Sequence, residues 1–241
     1  MTLSGHMCFR CWLLGLVLVI AGCSDDDDEG PTETVVHEVP LRVSNLTSAQ
    51  PMSAPVVVIH KANFAPWAVG ESATVGMEFL AETGHGELLV SELKEQPQVI
   101  DAFMMTHAIE PGETLRQSID WPQMPDLKLS VVSRLMATND GVAMGTRIVP
   151  MVIDENNRAF VLGAYDTGTE FNTESAETLP VSIDGGEVGQ GYNAARAGDQ
   201  LTAHPGVVSA DGGLASSSLD SRYRFTNPVG DAELECRNCH Q

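Results

Sequence analysis

From Val35 onward the chain is broken into short runs, each closed by Gly, Pro, Asn or Asp. That punctuation constrains the fold more than any other feature. Val35, Val39, Leu41 and Val43 alternate with Glu38, Arg42 and Ser44, the period of a strand with one buried face. Residues 54–60 read APVVVIH, a β-branched run that predicts a buried strand. Leu115, Gln117 and Ile119 alternate in the same way, and Leu127, Leu129, Val131, Ser133 and Leu135 share one side of a further run. Residues 147–153, 158–165, 179–186 and 222–236 read as later strands, and 63–70 as a turn-rich connection. The period changes only after Gly70. Ser72 is placed to cap a helix that brings Val75, Phe79 and Leu80 near one face, and Gly84 is placed to stop it. Residues 86–95 predict a second short helix carrying Leu88, Leu89 and Leu93. Many short strands and few helical turns predict an all-β fold, an antiparallel β-sandwich with one or two short helices packed against it.

The N-terminus follows different rules. Arg10 precedes an apolar stretch from Trp12 to Ala21. Such a stretch is short for a membrane span and has the layout of a secretory signal. It closes with Ile20-Ala21-Gly22-Cys23 and Ser24, which resembles the lipobox of bacterial lipoproteins. The resemblance implies cleavage before Cys23, a diacylglycerol on its sulfur, and an outer-membrane destination in the bacterial cell envelope. Acyl chains contribute about 0.8 kcal/mol per buried methylene. The run DDDDEG follows, and so dense a charge cannot bury apolar surface. The expected organisation is a signal peptide over 1–22, an acidic tether over 23–33, a sandwich domain over 34–236 and a tail over 237–241.

With 33 acidic and 13 basic residues the formal net charge is −20. Nucleic acid is excluded as an expected partner, since phosphate binding needs clustered Lys and Arg. A surface so acidic suits divalent cations or basic partners. No cysteine lies between Cys23 and Cys236, so the body must be held by its core and not by a disulfide framework.

The segment GAYDTGTEFNTE, residues 163–174, gathers Asp166, Glu170 and Glu174. Asp and Asn favour turns for local reasons, and a bound cation is the other explanation for such a cluster. The runs MSAPVVVIH, SATVGMEFLAETGHGELL, LSVVSRLMATNDGVAMG, AYDTGTEFN, AHPGV and YRFTNPVGDAEL stand in this order between residues 52 and 234. In that order they resemble the spondin N-terminal domain family. The resemblance implies a C2-like sandwich, a calcium ion at its loop end, and a role in adhesion to a matrix, a glycan or a surface protein. It implies Asp140 and Asp166 as calcium ligands, with Glu170 in the same loop and Asp120 as a further carboxylate.

Enzymatic activity is not expected. His37, His60, His85, His107 and His204 are scattered, without a His-Glu-x-x-His set, and no Gly-x-Ser-x-Gly elbow occurs. His60 and His204 read as structural histidines. At the C-terminus Cys236, Cys239 and His240 form Cys-x-x-Cys-His. That pattern fits covalent haem c attachment, which would make the chain an electron-transfer lipoprotein, and it equally fits a disulfide or a metal-binding thiol pair.

Overall fold

The computed structural model describes residues 36–149, 159–182, 189 and 191–235. Nine strands lie among them: β1 (Val36–Asn45), β2 (Val56–Lys61), β3 (Val99–Met104), β4 (Thr114–Pro122), β5 (Leu127–Arg134), β6 (Gly141–Val149), β7 (Ala159–Asp166), β8 (Thr202–Ala203) and β9 (Gly230–Leu234). Two helices, α1 (Val75–Thr83) and α2 (Glu87–Lys94), fall between β2 and β3. The strand order is β3-β2-β5-β6-β7-β9-β1-β4, with β8 on β7, and all pairings are antiparallel.

The curl of this sheet is made at β7. Its Gly163–Asp166 half pairs with β6, whereas its Ala159–Leu162 half pairs with β9. One strand thus serves both layers, and the layers enclose a shared core. Leu41, Val43, Trp121 and Leu234 from one layer meet Val57, Ile59, Leu129 and Val131 from the other. The intervening residues of β2 and β5 are buried as well. Val56, Val58 and Val132 pack beneath Met77 and Leu80 of α1 and Leu89 and Leu93 of α2. This explains the unbroken apolar run of β2, a strand covered on both faces. Each such side chain contributes about 1.5–3 kcal/mol by leaving water.

Local chemistry fixes the helices. Thr74, not Ser72, caps α1: its side chain accepts from Met77 N at 3.1 Å, while Ser72 Oγ donates to Asp199 O. Glu92 of α2 braces the same end, its Oε1 accepting from Gly76 N at 2.8 Å and its Oε2 from Thr74 Oγ1 at 2.7 Å. Gly84 ends α1 at φ 81°, as the sequence predicts.

Other expectations need correcting. β3 is absent from the sequence reading, because on this edge strand only Ala102 is fully buried and no clear alternation survives. Of the run 222–236, the described residues 222–235 form a strand over Gly230–Leu234, after a 3₁₀ turn at Ser221–Tyr223. Residues 179–182 form no strand, and the rest of the 179–186 run lies outside the described residues. β6 begins at Gly141, well before the run that signalled it; 150–153 also lie outside. His60 is structural: fully buried, with Nε2 bonded to Ser130 Oγ at 2.8 Å and its pKa lowered by burial.

Candidate cation site at the rim of the sandwich

Asp140 and Asp166 reach the same rim because β6 and β7 pair there, Gly141 opposite Asp166. The turn from β5 into β6 is tied by Thr138, whose Oγ1 donates to Leu135 O at 2.6 Å and accepts from Gly141 N at 2.9 Å. That turn drives Asp140 inward until it is fully buried. Its Oδ2 accepts from Thr169 N at 2.7 Å, Glu170 N at 3.0 Å and Thr167 Oγ1 at 3.1 Å. Its Oδ1, equally buried, has no hydrogen-bond partner. Burial, then the charge of Asp166, raises the Asp140 pKa against the pull of these donors.

The three acids of the 163–174 segment have three fates. Asp166 closes its own turn, Oδ1 accepting from Gly168 N at 2.8 Å and Oδ2 from Asn172 Nδ2 at 2.5 Å. Gly168 sits at φ 71°, where a side chain would be strained. Glu170 is half-buried, and its carboxyl is pushed up to about 7 by burial first and then by the charge of Glu82, with Arg134 pulling the other way. Glu174 is a structural tie. Its Oε1 accepts from Val208 N at 2.6 Å, and its Oε2 from Ser209 N at 2.9 Å and Ser217 Oγ at 2.7 Å. The cluster is therefore part turn chemistry at Asp166 and part loop anchor at Glu174, with Glu170 left as a half-buried acid at the rim.

Two residues join the rim that sequence reasoning did not select. Glu82 of α1 is fully buried; its Oε2 accepts from Asn193 N at 2.6 Å and its Oε1 has no partner. Burial raises its pKa, and the charges of Glu78 and Asp140 push the same way. Glu78 and Glu82 are like charges four apart on a short helix, which is unfavourable on a solvated face; that conflict was a readable signal. Arg134, at the end of β5, is also fully buried. It donates to Ala81 O, to Thr138 O at 2.6 Å and to Asn139 O at 2.9 Å. Burial lowers its pKa to about 10, so it stays charged at neutral pH. An arginine set between the Val131-Val132 pair and Leu135 was the signal for it.

Asp120 does not join. It is exposed within β4, opposite Glu38 of β1. The rim lies toward the other end of β1, where Asn45 pairs with Gly230 and Gly230 with Leu162. The expectation that Asp120 ends its strand fails because β4 runs on to Pro122. Cys23, Cys236, Cys239 and His240 lie outside the described residues.

His204 flanks the rim. Its Nδ1 accepts from Gly206 N at 2.9 Å, so that lone pair is taken, and burial lowers its pKa. A cavity of about 600 Å³ opens beside Asp166, lined by Gly70, Glu71, Gly168, Asp199 and Thr202 among others. Among the described residues no three His, Cys, Asp or Glu side chains converge closely enough to hold a metal by themselves. The acids at this rim are nonetheless all carboxylates, which suit a hard cation that also takes backbone oxygens and water. The unpartnered Asp140 Oδ1 fits such an ion, since a buried carboxylate oxygen without a partner is costly.

Compared with protein-family models and with curated proteins, the chain matches none.

Proposed function

We propose that this chain is a calcium-binding β-sandwich that serves as an adhesion or binding module of the bacterial envelope, held to the membrane through a lipid on Cys23. The observation that carries the reading is Asp140. One of its oxygens gathers the 167–170 loop, and the other is buried and bare. Asp140 supplies the first carboxylate on the calcium; Asp166 and Glu170 stand at the same rim and close on the ion when it binds, with backbone oxygens and water completing six to eight oxygens. The cavity beside Asp166 gives a partner access to that rim. The ordered resemblance to spondin N-terminal domains supports the same reading. The acidic 23–33 segment then acts as a spacer from the membrane.

Isothermal titration of calcium into the purified full-length protein in detergent tests this. One bound ion per chain, lost in Asp140→Asn, is the expected result. Absence of calcium binding in the wild type rejects the reading.

A further inference from the structure

The two buried acids of α1 are treated differently by their surroundings. Glu78 is paired with Arg196. Glu82 is fully buried and presents a bare Oε1; the buried Arg134 charge reaches it, as it reaches Asp140 and Glu170, without a direct ion pair among the described residues. The other Glu82 oxygen is held by Asn193 N at 2.6 Å. Asp140 repeats the pattern: one oxygen is held by loop amides and the other, Oδ1, is bare. The Asp140 charge reaches Glu82, and the Thr169 hydroxyl acts on Glu82 while its amide donates to Asp140. Glu82 is also the strongest charge felt by Glu170. Arg134 donates to carbonyls next to both, Ala81 O beside Glu82 and Asn139 O beside Asp140, but to neither carboxylate. A helix that only had to pack on a sheet would place an apolar residue at 82, as it does at Met77 and Leu80. A buried carboxylate with one oxygen bare is a standing cost unless a cation meets it.

We propose that Glu82 of α1 supplies a carboxylate oxygen to the same cation as Asp140, so that the ion fastens the helical layer to the rim loops. The inference rests on the calcium reading above. It replaces Asp120 with Glu82 and makes the site span three segments: α1, the 138–141 turn and the 166–170 loop. Because Asn193 holds the same carboxylate, the 191–200 segment is ordered with it.

The test compares calcium titrations of wild type, Glu82→Gln and Asp120→Asn, with hydrogen exchange of the wild type with and without calcium. Glu82→Gln is expected to weaken calcium binding at least tenfold, and Asp120→Asn to leave it unchanged. Calcium is expected to slow exchange in Leu80–Gly84 and at Asn193 as well as in the rim loops. Wild-type affinity in Glu82→Gln overturns the inference and leaves the calcium reading standing. So does protection confined to 138–141 and 166–170, a result that needs no variant to fold. If the wild type binds no calcium, both fall together.

Discussion

Glu174→Gln separates a structural acid from a site acid within one loop. The substitution keeps the size of the side chain and its backbone, which sits at φ 53°. The Glu174 carboxylate accepts three hydrogen bonds, from Val208 N, Ser209 N and Ser217 Oγ. An amide has one acceptor oxygen, so its NH₂ must face at least one of these donors. Bonds to a charged acceptor contribute about 1.5–3 kcal/mol and neutral ones about 0.5–1.5. Losing one bond and weakening two, less the relief of no longer burying a charge, comes to about 3 kcal/mol. For a chain of this size each kcal/mol shifts Tm by about 2–4 °C, so a fall of about 6–12 °C is expected in a thermal melt. The rise in Tm on adding calcium should be the same as in the wild type. A Tm within about 2 °C of wild type, or a variant that melts normally but has lost its calcium response, would refute the assignment of Glu174 as a loop tie.

Further outcomes follow from the same structure. Burial lowers the His60 pKa below 6.5, so the unfolded chain takes the proton first. The contribution of neutral His60 is complete above about pH 6.5 and is lost as pH falls through its lower folded value; Tm measured from pH 7.5 to 5.5 should fall more steeply in the wild type than in His60→Gln. Gly168→Ala should destabilise by more than 1 kcal/mol, since a Cβ there would stand 2.7 Å from Gln200 O at a positive φ, and urea denaturation reads it. Thr74→Ala should cost about 1 kcal/mol through loss of the α1 cap, with Ser72→Ala costing less; equal losses would contradict the cap assignment.

The sandwich was legible where burial is one-sided or total. Alternation announced β1 and β4, and an unbroken β-branched run announced β2, because those patterns are direct consequences of which faces meet water. β3 was not legible, since an edge strand with one fully buried residue leaves no period to read. Asp140 and Asp166 could be placed at strand ends from sequence. That they share a rim depends on the β6–β7 register and on β7 changing layers, which are decided by tertiary pairing. Asp120 failed for the same reason: alternation finds a strand and does not say which of its ends faces which loops. For Glu82 the like-charge pair with Glu78 four residues away was the one readable sign; its burial was not, since the Asn193 amide that holds it is far along the chain. Glu174 was ambiguous because its donors come from residues 208–217.

The central claim is that a bare carboxylate oxygen inside this rim belongs to a metal ion. Thermal melts of the full-length protein in excess chelator and in calcium at about a hundred times its dissociation constant test it directly. Binding to the native state alone then adds about 2.7 kcal/mol, and the account predicts a rise of about 5–11 °C that vanishes in Asp140→Asn. Superimposable melting curves in chelator and calcium would contradict it.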